Sequence, residues 1–431
     1  MRKGWLKVTL SDVCLKIQDG AHHSPKNLYE KGGEGRFLYI TSKNIRNNYV
    51  DLTKISYVDS NFHDSIYSRC TPELGDVLLT KDGVNTGNVT LNTIKEPFSL
   101  LSSVCLIKTD PEKLISPFLV YYIQSKSGFE QMTGRMTGAA IKRIILRTIK
   151  KSMIPLPSLF EQKRIVAILD EVFAGIDDAI ANTEKNLTNA RELFESYLNA
   201  VFLNGGNSWI ERKLGDTEFL QIIDGDRGKN YPKKSDFLVE GHCLFLNTKN
   251  VRPDGFDFET TMFITEEKDA ALRKGKLSRR DVILTTRGTI GNIAIYDSSV
   301  EYDHIRINSG MLILRPNEKV IISEFLFEML RSSIVRVQIE QRTSGAAQPQ
   351  LPIKTLVDFT VPVPKELNEQ SRIVLALNEI HSEVQRLEAI YQQKLTALNE
   401  LKQSILQKAF TGELTADTAS QAEKAKADIA A

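Results

Sequence analysis

GDVLLTKDGVNTGNV at residues 75–89 and RDVILTTRGTIGNI at 280–293 are one pattern written twice: an aspartate, a short apolar run ending in threonine, and a glycine-bounded loop that is one residue shorter in the second copy. Such a run between Gly and Asp punctuation reads as a buried strand entering a tight turn. Outward from it, the same motifs recur in the same order. WLKVTLSD at 5–12 returns as WIERKLGD at 209–216, and LYITSKNI at 38–45 returns as LFLNTKNV at 244–251. TGAA at 137–140 is answered by SGAA at 344–347. Each copy then closes on a Pro-x-Pro step and a long helical pattern, PLPSLFEQKRIVAIL at 155–169 and PVPKELNEQSRIVLAL at 362–377. The offset of about 205 residues lies far above the roughly 20–50 residues of stacking repeats, so each copy is a domain followed by a helix.

A chain of 431 residues, 41% apolar and 26% charged, is expected to form two or three soluble globular domains. No apolar run approaches the roughly 18 residues of a membrane span, and no charged-then-apolar leader opens the sequence, so the expectation is a cytoplasmic protein with no membrane partner. Cys14, Cys70, Cys105 and Cys243 show no paired spacing, which argues against a zinc knuckle or a disulfide framework. The six histidines never fall at metal-ligand spacing and read as surface or core residues. A phosphate-binding GxxxxGK[ST], a GxGxxG after a strand and the Asn- or Asp-Pro-Pro-Tyr of amino-methyltransferases are all missing. Pro253-Asp254 with Glu266, Glu267 and Lys268 has the composition of a metal-dependent nuclease site, but the first copy has no counterpart. The chain itself is therefore expected to carry no catalytic residue, cofactor or metal.

Charge is nearly balanced overall and uneven along the chain. Lys and Arg number 22 against 14 Asp and Glu in residues 1–157, 4 against 8 in 158–208, and 22 against 22 in 209–364. The basic first globule suits an anionic partner, although a solvated surface has the same signature.

From Ile165 the apolar positions run Leu169, Val172, Ile176, Ile180, Thr183, Leu187, Ala190, Phe194, Tyr197 and Val201, in steps of three and four. A second series runs Ile373, Leu377, Ile380, Val384, Leu387, Tyr391, Leu395, Leu398, Ile405 and Ala409. Each is a coiled-coil seam, or else the buried face of an amphipathic helix on its own domain. Ser158 and Glu161 have capping-box spacing, Gly205, Gly206 and Gly412 supply stops, and Ser116 and Ser323 are candidate caps of shorter helices inside the globules. The linker from Gly205 to Ser208 spans at most roughly 14 Å, so the second helix must run back along the first to pair with it. The expected fold class is α/β (α+β): two duplicated mixed α/β domains joined by two long antiparallel coiled-coil helices, with pseudo-two-fold symmetry. The expected boundaries are 1–157 for the first globule, 158–206 for the first spacer helix, 207–364 for the second globule, 365–412 for the second helix and 413–431 for a disordered tail.

The loop Thr286-Arg287-Gly288-Thr289-Ile290-Gly291-Asn292 admits three readings: a phosphate cradle, a plain turn between strands, or a turn that presents Arg287 to nucleic acid. Together with the paired globules, TSGAAQPQL at 343–351, the Pro-x-Pro exits and the EQxRIV helix starts at Glu161 and Glu369, it resembles the specificity subunit of type I restriction-modification enzymes over residues 5–412. The first copy departs from that pattern, with AIKRI at 140–144 in place of AQPQL and LTKDGVNTGN in place of LTTRGTIGN.

The resemblance implies a non-catalytic DNA-recognition subunit in which each globule, a target recognition domain, reads one half of a bipartite asymmetric site on double-stranded DNA. The helices would set the spacing and dock methyltransferase subunits. It further implies motor-endonuclease partners, with S-adenosylmethionine, ATP and Mg2+ used by the partner subunits. Base reading needs forked donors and acceptors, and phosphate binding needs cations. The candidate DNA contacts are Lys43, Asn44, Lys81, Arg135, Lys142 and Arg143 in the first domain, and Lys249, Asn250, Arg287, Arg342 and Gln348 in the second. A stand-alone nucleic-acid enzyme and a coiled-coil scaffold for protein partners are the competing readings.

Overall fold

The computed structural model describes residues 4–134, 143–206, 208–253, 255–343 and 350–416. By packing they divide into two units: Met1–Glu184 with Gln393–Ala431, and Lys185–Gln392. Each unit thus takes one part of each long helix along with its globule.

The repeat in sequence is a repeat of strand order. In unit 1 a four-stranded antiparallel sheet runs Cys14–Asp19, Val104–Thr109, Val77–Thr80, Val89–Leu91. In unit 2 the order is Leu220–Asp224, Met311–Pro316, Val282–Thr285, Ile293–Ile295. Val77–Thr80 and Val282–Thr285 are buried at every position, which is why their first three residues are all apolar rather than alternating. Successive side chains point to opposite faces, and both faces are covered. Val77, Leu79, Cys105 and Ile107 join a core shared with the long helices, whereas Leu78, Val104 and Leu106 join a second core. Unit 2 divides its sheet likewise, with Val282, Leu284, Leu312 and Leu314 on one side and Ile283, Met311 and Ile313 on the other. At roughly 1.5–3 kcal/mol for each buried Val, Leu or Ile, this doubly covered sheet anchors everything attached to its edge.

The second core rests on a three-stranded sheet. Arg36–Ile40 pairs antiparallel with Ser56–Asp59 and parallel with Phe98–Leu100, and in unit 2 Cys243–Leu246 pairs with Phe263–Ile264 and Ile305–Ile307 in the same senses. The globule's two ends are tied together by Leu6–Thr9 with Met153–Leu156 and by Trp209–Lys213 with Thr360–Pro364. These two-stranded ribbons tolerate Pro155, Pro362 and Pro364 because an edge position needs no ladder N–H.

The long helices are Leu159–Leu203 and Leu367–Thr411. Ser158 Oγ accepts from Glu161 N (3.3 Å), as its capping position predicts. Gly412 ends the second helix with φ +85°. In unit 1, Ile165, Leu169, Phe173 and Ile176 meet Leu406, Ala409 and Phe410, and Lys402 Nζ bonds Asp177 at 2.6 Å. In unit 2, Phe194, Leu198 and Phe202 share a core with Val384, Leu377 and Val374, and Arg191 bonds Glu388 at 2.8 Å. Within each unit the helix segments therefore pair antiparallel, as expected. The seam itself is displaced: Phe173 is buried in place of Val172, and Leu198 and Phe202 in place of Tyr197 and Val201. A straight helix drifts about 20° per heptad, and its ends must also cover their own globule; Phe202 packs edge-on against Phe325 at 5.4 Å.

One buried glutamine fastens each helix to its globule. Gln162 accepts from Ile115 N (3.0 Å) and donates to Lys113 O (2.8 Å) and Pro157 O (3.0 Å). Gln370 accepts from Ile322 N (3.0 Å) and donates to Val320 O (2.9 Å) and Pro364 O (3.1 Å). Ser116 and Ser323, expected as caps, lie inside the first turn instead. Ile115 and Ile322 hold the cap positions, and the glutamines satisfy their N–H groups.

Candidate nucleic-acid interface

The segments singled out in the sequence converge where Asp19, Thr80 and Val104 meet at one end of the central sheet. Lys81 N donates to Ser103 O (2.9 Å), Ile144 N to Lys81 O (2.8 Å), Ser42 N to Ser103 Oγ (3.1 Å) and Asn85 Nδ2 to Ser42 O (3.1 Å). Unit 2 repeats the frame, with Thr286 N on Gly310 O (2.8 Å) and Leu351 N on Thr286 O (3.0 Å). Arg143 faces Asp82 and Gln350 faces Arg287 as isolated antiparallel bridges. In this way a strand-end loop and a stretch some sixty residues downstream are laid edge to edge in both units.

Gly83 (φ +100°) and Gly288 (φ +74°) turn the loops through the left-handed region. Gly87 N returns to Thr80 O (2.8 Å) and Gly291 N to Thr285 O (3.0 Å). Because these amides are spent inside the loop, the plain turn with Arg287 on its rim describes the segment better than a phosphate cradle does.

Three candidates prove to be framework. Asn44 and Asn250 are buried, and each holds its own loop. Asn44 Oδ1 accepts from Thr41 N (3.0 Å) while Nδ2 donates to Asp51 O (3.0 Å) and Lys54 O (3.2 Å). Asn250 does the same with Asn247 N (3.0 Å), Asp257 O (2.9 Å) and Thr260 O (2.7 Å). Lys81 is also buried, its ammonium lying 3.5 Å from Asp19 and 3.4 Å from Asp82. With their polar atoms committed, these groups do not face an external partner.

Lys43 and Lys249 are exposed beside these asparagines. Arg143 is exposed with Asp82 3.6 Å away. Arg287 is exposed and has no carboxylate partner among the described residues. Arg342 is exposed but leans on its own unit, donating to Asp358 O (3.4 Å) with its guanidinium 5.4 Å from the Phe359 ring centre. Arg135, Lys142 and Gln348 lie outside the described residues.

Sequence reasoning missed a further pair. Asp19-Gly20 and Asp224-Gly225 end equivalent strands, and neither glycine tolerates a side chain, since a Cβ would lie 1.9 Å from Leu100 O and 2.3 Å from Asn308 O. The turns are thereby fixed, and each aspartate holds the third residue after it: His22 Nε2 is 3.1 Å from Asp19 Oδ1, and Arg227 Nη2 is 3.2 Å from Asp224 Oδ1. Aligning the two Asp-Gly steps gives the signal that finds them. Glu266, Glu267 and Lys268 instead open a short helix capped by Thr265, and Lys268 pairs with Asp236 at 3.0 Å.

Away from this end, unit 2 has a groove of about 1210 Å³ beside the first long helix, lined among others by Arg191, Glu195, Arg331 and Glu388. Its arginines are each used on a neighbouring carboxylate: Arg191 with Glu388, Arg336 with Glu195 at 3.8 Å, and Arg331 with Glu328 at 3.3 Å. Among the described residues no helix is long and apolar enough to cross a membrane, and no cluster of three or more His, Cys, Asp or Glu is placed to hold a metal ion.

Residues 2–189 and 207–400 each match the type I restriction modification DNA specificity domain. The chain is 25% identical to the EcoBI type I restriction enzyme specificity subunit of Escherichia coli, over 96% of this chain and 86% of that one. It is 23% identical to the MjaVIII specificity subunit of Methanocaldococcus jannaschii, over 95% and 93%. The fold is similar to the HsdS subunit of Thermoanaerobacter tengcongensis (TM-score 0.56, 21% identity, 96% and 98% covered). It is also similar to a chain from a structure of a type I R-M system in assembly (TM-score 0.74, 21% identity, 96% and 99% covered).

Proposed function

The chain belongs to the type I restriction modification DNA specificity family, and we propose how its two target recognition domains divide their work. It is a specificity subunit, and its relatives are specificity subunits. Unit 1 and unit 2 each read one half of a bipartite asymmetric site on double-stranded DNA through the loops at the open end of the central sheet. Lys43, Arg143, Lys249 and Arg287 make contacts there; Arg342 steadies its own helix end. Arg135, Lys142 and Gln348 are further candidate contacts to the DNA. The long helices set the distance between half-sites and dock methyltransferase subunits. Methylation and ATP-driven cleavage reside in partner subunits, which use S-adenosylmethionine, ATP and Mg2+, and the assembly works in the cytoplasm, where the DNA is.

The observation that carries this reading is the contrast between frame and rim. The main-chain hydrogen bonds that join the loop to its two neighbouring segments recur in both units, whereas the residues they present differ: Asp82 against Arg287, and Arg143 against Gln350. A shared frame with unlike side chains is what two readers of unlike half-sites require. The test is to map methylated positions in DNA from cells carrying this chain with its partner subunits. The expected outcome is a split, non-palindromic motif. A continuous or palindromic motif, or methylation by the isolated chain with S-adenosylmethionine, would overturn the reading.

A further inference from the structure

The Asp-Gly turn at the strand end brings a basic side chain to the rim of each unit by one geometry. Arg227 is held by Asp224 and also donates to Ser309 O (3.3 Å), next to Gly310, where a Cβ would come within 3.7 Å of Arg287 Cβ. His22 stands at the same step after Asp19, beside Ala21, whose carbonyl accepts from Ser102 N (2.8 Å). Both side chains are well exposed, at 62% for His22 and 50% for Arg227, while Asp19 and Asp224 are largely covered. A covered carboxylate behind an exposed cation fixes the direction of that cation and leaves its outer N–H groups for a second acceptor.

We propose that this position contacts a DNA phosphate in both units, permanently through Arg227 and only in the protonated state through His22. The inference rests on the DNA-reading function proposed above. A guanidinium has five N–H donors and can satisfy a carboxylate on one edge and a phosphate on the other. An imidazole has one N–H when neutral. Asp19 only accepts, so Nε2 must donate to it, leaving Nδ1 of the neutral ring with a lone pair that repels phosphate. When protonated, both nitrogens donate, and His22 can bridge Asp19 and a phosphate as Arg227 bridges Asp224 and one. Asp19 is the charged group in contact with His22, and Lys81, Asp82, Arg143 and Arg69 are linked to it through Asp19 and its turn, with the His23 imidazole next in sequence. Lys81 lies between Asp19 and Asp82, Arg143 faces Asp82, and Arg69 donates to Gly20 O (2.9 Å).

Binding of the chain assembled with its methyltransferase subunits to a duplex bearing the mapped site, measured against salt, tests this. Each phosphate contact adds about 0.9 to the steepness of log affinity against log salt. At pH 8, Arg227→Gln is expected to lower the steepness by about one such step, and His22→Arg to raise it by about one. His22→Gln at pH 8 should leave the steepness unchanged. Selective binding with steepness unchanged by His22→Arg and Arg227→Gln would overturn this inference alone. Loss of site-selective binding in the unmodified assembly would overturn the DNA-reading function as well.

Discussion

At the end of the same strand, unit 1 spends its charges and unit 2 displays them. Lys81 is buried between Asp19 and Asp82, and Asp82 also faces Arg143. In unit 2 the equivalents of Lys81 and Asp82 are Thr286, whose hydroxyl bonds Gly310 O (3.1 Å), and Arg287, which is exposed. One backbone frame therefore supports a self-neutralised rim and a cationic one. Residues alike in the two units hold the loops, and residues that differ are free to read different DNA.

The largest effects should fall equally on both units, because they strike the shared frame. Gln162→Ala and Gln370→Ala each leave a partly buried N–H, a partly buried carbonyl and a buried carbonyl without their partner. At about 1–3 kcal/mol for each unsatisfied group, each variant should lose about 4 kcal/mol in urea unfolding. A large loss in one variant and none in the other would break the equivalence of the two helix attachments.

Lys81→Ala strikes unit 1 alone. It strips two largely buried carboxylates of their cation, and breaking a buried pair costs about 3–5 kcal/mol; Arg143 offsets part of this, so about 3 kcal/mol is expected. Thr286→Ala should cost about 1 kcal/mol. Similar losses for the two would show that Lys81 is not a structural ion.

Acid should separate the units at a second matched position. His63 and Asp269 both sit one helical turn after the helix cap, facing Ser99 and Arg306 on equivalent strands. Burial holds the His63 imidazole below its ordinary range, against the opposing pull of Asp64. Burial alone would raise Asp269, but Lys276 and Arg306 outweigh it and hold the carboxyl at about 2. Both groups are depressed, so each contributes stability that is complete above its unfolded value and lost as pH falls through its folded one. Unit 1 should begin to weaken below about pH 6.5. Unit 2 should hold until about pH 4 and then lose about 2 kcal/mol on the way to pH 2. Hydrogen exchange at Leu78 and Ile283 reads the two separately, and loss in the opposite order would contradict the assignment.

The smallest effect concerns the rims. Arg287→Ala should weaken DNA binding by the assembly about tenfold and lower its salt dependence by about 0.9. Asp82→Ala should strengthen binding slightly, since it removes a negative charge and releases Arg143. Weaker binding in Asp82→Ala would mean that the carboxylate itself contacts a base.

Much of this was legible in the sequence because a duplication displays its own frame. The matched strands, Pro-x-Pro exits and helices 45 residues long follow from motif order and apolar spacing. Asn44 and Asn250 were misread because Asn serves loops and bases alike, although their identity in both copies already marks them as framework. Lys81 was misread because its partner Asp19 lies 62 residues away in sequence, on another strand. The seam shifted to Phe173, Leu198 and Phe202 because spacing alone does not say how much of a helix end must cover its globule. His22 was overlooked because its meaning comes from Arg227, and only the fixed Asp-Gly turn relates the two.

Replacing residues 1–155 with the corresponding part of a specificity subunit that recognises a different site, then mapping methylation by the assembled chimera, bears most directly on the claim that each unit reads its own half-site. One half of the motif should change to the donor's while the other stays as it was. A change in both halves, or in neither, would contradict independent reading by the two units.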